Sequence, residues 1–228
     1  MTFLELSDQE ATCWGIQLYR QCGDNYKKNN SEEGKNVVSY YCGLEHIKYN
    51  SILRKMPYEP QPEPNSIYDN RIKQLKKIIL DSPRTDCNLI VWRIVPDHVI
   101  ELMKKNFLTK GYFLEKGFLS TSLTKEACWE NFHEVSKSKI ILQIKVPSGT
   151  AAIYTPCFAL NRREQELLIN YNIRLYFDNF HKEIYKGQRI QIIQVHAIHD
   201  DCVSNEKINK KPSFFKKLKM LFIHTERK

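Results

Sequence analysis

Apolar residues change their rhythm about a third of the way along this chain. Over residues 7–30, Trp14, Ile16, Leu18 and Tyr19 recur loosely at helical spacing. Residues 29–36 are polar or glycine and read as a loop. Over 37–55, Val38, Tyr41, Leu44, Ile47, Ile52 and Leu53 predict a helix or a broken pair of helices. The prolines of 57–64 cannot continue a helix, so that stretch reads as an extended connection. Ile67, Ile72, Leu75, Ile78 and Ile79 predict a further helix over 66–80, halted at Asp81-Ser82-Pro83.

Beyond that point the apolar residues gather into short runs. Residues 88–95 (N-L-I-V-W-R-I-V) read as a buried strand with one intrusive charge, Arg93. Pro96 and Asp97 open a short helix. Residues 111–122 are strand-like with a turn at 115–117, and Thr124 is a good N-cap for the next helix. Strands are predicted at 139–146, 150–154, 164–169, 173–177 and 189–198. Few crossover helices separate them, which implies a mainly antiparallel system in two layers. The expected class is α+β: a helical N-terminal portion (1–85) packed on a two-sheet core (86–203), then a tail (204–228).

Length and composition suit a soluble globular chain; 228 residues can bury a full core. No apolar run approaches the roughly 20 residues that span a bilayer. The opening M-T-F-L-E-L-S-D lacks the basic and apolar regions of a Sec signal peptide. The expectation is a protein that acts in the cytosol that makes it, or one injected as an effector into a host cytosol. Seven scattered cysteines without a C-x-x-C pair predict reduced thiols. Of the net charge of +9, the segment from Lys207 onward supplies +7, with eight Lys/Arg and one Glu. A body that close to neutral argues against nucleic-acid binding. In the tail, Phe214, Phe215, Leu218, Leu221 and Phe222 share one helical face, with Lys216 and Lys217 elsewhere. Such a stretch fits an anionic membrane surface, or a face packed on the domain or on a partner.

Candidate chemistry centres on residues 161–169, N-R-R-E-Q-E-L-L-I. If this is a strand, Glu164 and Glu166 point to one side while Leu167 and Ile169 point to the other. Paired carboxylates serve reactions that build positive charge on a sugar carbon or deprotonate a nucleophile. Arg93, inside an apolar strand, needs a partner: a structural carboxylate or a phosphate-bearing ligand. Ser120, Thr121 and Ser122 end a strand, where a hydroxyl can fix a buried carboxylate. His196 and His199, near Asp200, Asp201 and Cys202, would face opposite sides of a strand, so no metal site is expected. Cys157 lacks a His partner for a nucleophilic role.

The order of these pieces is their most specific property. A strand-borne Arg, then S-T-S after a Gly-containing turn, then E-x-E before Leu-Leu-Ile resembles the Arg-Ser-Glu class of mono-ADP-ribosyltransferases. That class includes binary actin-modifying toxins, C3-like exoenzymes and vertebrate ecto-transferases. Upstream, Y-Y-C-G-L-E-H-I-K-Y-N-S-I-L-R (40–54) looks like the family's Tyr-Gly helix ending in Asn-x-x-Leu-Arg. The resemblance implies NAD as co-substrate, no metal, and a target protein with an acceptor arginine. Arg93 would clamp the ribose and phosphate side of NAD, with the nicotinamide amide approaching the backbone at Ile94. Ser120, with Thr121 and Ser122 beside it, would hold Glu166, which would bind the nicotinamide ribose. Glu164 would serve the acceptor, and a Glu rather than Gln there implies arginine. Trp129 or Phe132 would cover nicotinamide. Asn161, Phe158, Arg162 and Arg163 would read the target. Two rival readings are an NAD glycohydrolase and a non-catalytic module carried to membranes or nucleic acid by its tail.

Overall fold

The computed structural model describes residues 2–29, 37–55, 66–134, 137, 139–158 and 162–199. The tail with Phe214 to Phe222, the proline-rich connection and Asn161 therefore lie outside the described residues.

The first helix, α1 (Asp8–Asn29), opens on a reciprocal cap: Ser7 N donates to Glu10 Oε2 at 2.8 Å, and Glu10 N donates back to Ser7 Oγ at 3.4 Å. A helical turn at 37–40 runs into a wide π-turn, Tyr41–Glu45, broken at Gly43 (φ −89°, ψ −135°). Helix α2 (His46–Arg54) follows, closed by Lys55 in the left-handed region. The broken-pair reading of 37–55 is thus the correct one. In α3 (Ile67–Asp81) the N-cap Ser66 accepts from Asp69 N.

The remaining elements are β1 (Leu89–Ile94), α4 (Asp97–Thr109), β2 (Tyr112–Glu115), β3 (Leu119–Ser122), α5 (Lys125–Phe132), β4 (Ile140–Val146), β5 (Ala152–Tyr154), β6 (Glu166–Ile169), β7 (Ile173–Tyr185) and β8 (Gln188–His199). The strands run β2-β7-β8-β4-β1-β3-β6-β5. Every pairing is antiparallel except β4 with β8. The two expected layers prove to be leaves of one sheet, five-stranded and three-stranded. They meet only through β1 and β3, at the single pair Trp92↔Ser122. The turn at 116–118 carries the chain from one leaf to the other, because β2 pairs with β7 and β3 with β6. Strand β7 extends well past its predicted end, to Tyr185, and forms with β8 a long hairpin that turns at Lys186 and Gly187, both with positive φ.

Three apolar clusters hold this arrangement. Helix α4 packs beside β2 and helix α1 against β5, and their Ala11, Leu18, Ile100, Met103 and Phe107 join one cluster with Leu89, Val91, Leu142, Val195 and Tyr154. Tyr41, Tyr49, Leu75 and Ile79 cover the three-stranded leaf at Phe118, Ile153 and Leu168. Helix α5 buries Cys128 and Trp129 against Trp92, Ile141, Ile190 and Ile192. Strand β6 is buried on both sides: Leu167 and Ile169 join the first cluster, Leu168 the second. Each such side chain contributes about 1.5–3 kcal/mol on burial, so the strand that begins with Glu166 is fixed by core packing. No described helix is long and apolar enough to cross a membrane.

Candidate active site

A cleft of about 840 Å³ opens where the two leaves part. Its walls come from the π-turn, α2, β1, α4, the end of β2, β3, α5, Glu164 and Glu166. Glu166, the first residue of β6, pairs with Ser122, which makes Ser120 its diagonal neighbour on the same face. The Ser120 hydroxyl donates to Glu166 Oε1. Thr155, in the 3-10 turn Thr155–Cys157 after β5, donates from Oγ1 to Glu166 Oε2 at 2.5 Å. Both carboxylate oxygens are therefore held by hydroxyls in a nearly buried setting, with Glu166 8% exposed and Thr155 0%. Sequence reasoning missed Thr155, because a lone Tyr-Thr-Pro carries no pattern.

Glu164 reaches the same cleft by a different route from the one expected. It ends a 3-10 turn, Arg162–Glu164, and the next residue, Gln165, has φ 48°. Strand alternation therefore does not align the two carboxylates. A left-handed pivot between them does, and both line the cleft.

Arg93 lies on β1. Its Nη1 donates to the Ser120 carbonyl at 3.2 Å, and its Nη2 sits 3.7 Å from Glu115 Oε2. Burial pulls its pKa below the ordinary arginine value, against the attraction of Glu115. Glu115 is a hub. It accepts two bonds from Arg54 at 2.9 and 3.0 Å, and one from Gly117 N at 2.8 Å. Burial opposes the charge on Arg54, yet the paired Glu115 leaves its pKa raised. Asn50, one turn before Arg54 on α2, accepts from Phe118 N at 2.8 Å and donates to Tyr41 Oη at 3.1 Å. The helical portion thereby fixes the start of β3. Burial, reinforced by the nearby Glu166 carboxylate, pushes the Tyr41 phenol and the Cys42 thiol well above their ordinary ranges, so both stay protonated.

The other expected site residues divide. Ile94, Thr121, Ser122 and Phe132 line the cleft. Thr121 also donates to the Leu167 carbonyl at 2.8 Å, which ties β3 to β6. Trp129 does not line the cleft: it is 4% exposed, packs in the α5 cluster and stacks on His133. Of the two aromatic candidates for nicotinamide, only Phe132 is at the cleft wall. Phe158 packs edge-to-face on Tyr19 at 5.1 Å, against the helical portion, which makes it a packing residue in this structure. Arg163 is exposed, and its carbonyl accepts from Asn131 at 3.3 Å. The side chain of Arg162, like Asn161, lies outside the described residues. His196 is engaged by Asp178 at 2.6 Å and stacks on Tyr176. Among the described residues no group of His, Cys, Asp and Glu has the make-up of a metal site.

The cleft suits a dinucleotide. Its wall carries Arg54, Lys55, Arg93, Lys110 and Lys116 against three glutamates, an excess of cations for a pyrophosphate. Its volume falls in the usual range for ligand sites, about 300–1,000 Å³. The hydroxyl-braced Glu166 lines this cleft.

The fold has counterparts among known proteins. The fold matches Plx2a, an ADP-ribosyltransferase toxin from Paenibacillus larvae, with a TM-score of 0.67 and 19% identity over 87% of this chain and 100% of that one. It matches C3stau2 from S. aureus, solved with NAD, with a TM-score of 0.65 and 18% identity over 88% and 100%. It also matches the C3 exoenzyme of Clostridium limosum, with a TM-score of 0.63 and 20% identity over 87% and 98%. A comparison with curated proteins found no match. Residues 11–199 match the family described as ADP-ribosyltransferase exoenzyme, which is most of the chain. The chain therefore belongs to the ADP-ribosyltransferase exoenzyme family, and it is an ADP-ribosyltransferase with NAD as co-substrate.

Proposed function

We propose that the chain is a toxin or effector that transfers ADP-ribose from NAD to an arginine side chain of a target protein. In this reading Arg93 and Arg54 receive the pyrophosphate and its ribose. Phe132 closes over nicotinamide. Glu166, held by Ser120 and Thr155, bonds the nicotinamide ribose and stabilises the positive charge that grows on C1′ as the bond to nicotinamide breaks. An arginine nitrogen then forms the new bond to C1′, and its proton passes to Glu164. A guanidinium is a poor nucleophile while charged, so an adjacent carboxylate is what this acceptor needs. Arg163, exposed beside Glu164, would favour an acidic surface around the acceptor.

The observation that carries the reading is the pairing of a doubly braced Glu166 with Glu164 in one cationic cleft. Incubation with labelled NAD and a host lysate, followed by mass spectrometry of the adduct, tests it. Label on arginine is expected; label on asparagine or cysteine overturns the acceptor assignment. The glycohydrolase alternative uses the same Arg, Ser and Glu, and it wins if an arginine acceptor diverts no product from free ADP-ribose.

A further inference from the structure

Gln165 sits between the two carboxylates and belongs to neither the cleft wall nor the core. Its side-chain amide is bonded through both its oxygen and its nitrogen to residues outside the cleft wall. Tyr154 Oη donates to its Oε1 at 2.7 Å, and its Nε2 donates to Thr12 Oγ1 at 2.7 Å. Thr12 in turn donates to the Asp8 carbonyl at 2.8 Å, inside α1. The Gln165 carbonyl accepts from Leu123 N at 2.9 Å, just past the end of β3. The residue itself is in the left-handed region, φ 48°, which a side chain with a β-carbon adopts only when the surroundings hold it there. The site for α1 is equally specific. A β-carbon at Gly15 would lie 2.5 Å from ring atoms of Tyr154, so only glycine lets the helix approach closely enough to complete the chain of bonds.

What this anchor controls follows from the chain on either side. Glu166 is secured independently, by pairing with Ser122 and by two hydroxyls. Glu164 is outside the sheet, on a 3-10 turn that the Asn131 side chain also holds at the Arg163 carbonyl, and the Gln165 pivot joins that turn to Glu166. We propose that Gln165 is a positioning residue: tethered through Tyr154 and Thr12 to α1, it sets Glu164 relative to Glu166 and so decides how often ADP-ribose goes to a protein acceptor instead of water. The inference rests on the reading of Glu164 as the group that serves the acceptor.

The test compares two rates in each variant of the full chain: NAD hydrolysis, and transfer to polyarginine. Thr12 is on α1 and does not line the cleft, so Thr12→Val removes the link from Gln165 to α1 without altering a residue of the cleft wall. Misplacement by a fraction of an ångström to about 1 Å costs up to about a hundredfold. We expect Thr12→Val to lower transfer about three- to tenfold at unchanged hydrolysis. Thr12→Ser, which keeps the hydroxyl, restores it. In Gln165→Gly, which keeps the backbone pivot and loses both bonds, the ratio of transfer to hydrolysis falls further. Melting temperatures separate these effects from unfolding. Equal losses of both rates in Thr12→Val, or no loss in either variant, overturn the positioning role. Glu164→Gln distinguishes the two levels. If it abolishes transfer while Thr12→Val and Gln165→Gly do not lower it, only the tether is wrong; if it leaves transfer intact, the reading of Glu164 fails and the tether fails with it.

Discussion

Replacing Thr155 by valine removes one hydroxyl and leaves the shape of the side chain nearly unchanged. That hydroxyl is fully buried and donates to Glu166 Oε2 at 2.5 Å, while Ser120 occupies Oε1. A hydrogen bond to a charged group contributes about 1.5–3 kcal/mol. Glu166 is only 8% exposed, so water replaces the lost donor poorly. With about 1.4 kcal/mol for each factor of ten in rate, kcat for nicotinamide release falls about ten- to hundredfold. The loss should appear equally in hydrolysis and in transfer, because cleavage of the bond to nicotinamide precedes both. Chromatographic measurement of nicotinamide release at saturating NAD gives the rate, and a thermal melt confirms that the fold survives. Thr155→Ser should recover most of the activity. The Ser120→Ala, Thr155→Val double variant should lose less than the product of the single losses, since both donors act on one carboxylate. Activity in Thr155→Val within about twofold of the parent, beside a crippled Ser120→Ala, would refute the claim that both oxygens need a donor.

Further outcomes follow from other contacts. Gly117→Ala would place a β-carbon 2.7 Å from Asn50 Oδ1, against the residue that fixes the start of β3; a loss of about 1–3 kcal/mol in urea unfolding is expected. Glu115→Gln leaves two guanidiniums sharing a site without their carboxylate, which should cost about 3–5 kcal/mol in the same assay. Burial works against the charge of Asp178, but His196 and Lys145 hold its pKa below the usual aspartate value. The stability this supplies is therefore present above about pH 4 and disappears as pH falls through the lower folded value, so Asp178→Asn should be destabilised by up to about 1 kcal/mol at neutral pH and should match the parent in strong acid, as read by denaturation at each pH. Deletion of residues 212–228 should abolish co-sedimentation with anionic liposomes if Phe214, Phe215, Leu218, Leu221 and Phe222 bind membrane; unchanged binding excludes it.

The legible part of the site is the part written as order along the chain. Arg93, Ser120 and Glu166 can be named because each sits in a short apolar strand, where a polar residue stands out. Thr155 cannot, because its role depends on a turn after β5 that brings it to Glu166 from another strand. The two glutamates do share one cleft, but strand alternation is the wrong reason for it: Gln165 turns left-handed, and nothing in E-Q-E announces a positive φ. Trp129 and Phe132 are three apart on α5, close to one helical face, so only packing against β4 and β8 separates the buried ring from the one at the wall. The outer half of β7 escapes notice because it runs beyond the core. Asp178, His181, Lys182 and Glu183 meet solvent there, and no apolar alternation marks the strand.

Between β1 and β3 the main chain is joined at one rung, and Arg93 reaches across to the Ser120 carbonyl beside it. The side chain thus acts as a rivet through the seam of the two leaves. A guanidinium has five N–H donors, so those left over can grip an anion without releasing the rivet. Filling the cleft with a dinucleotide therefore braces the seam as well as occupying the site. For the same reason, an Arg93 variant has lost a fastener of the seam, and any defect in NAD binding it shows reports on that as well as on the proposed ligand contact.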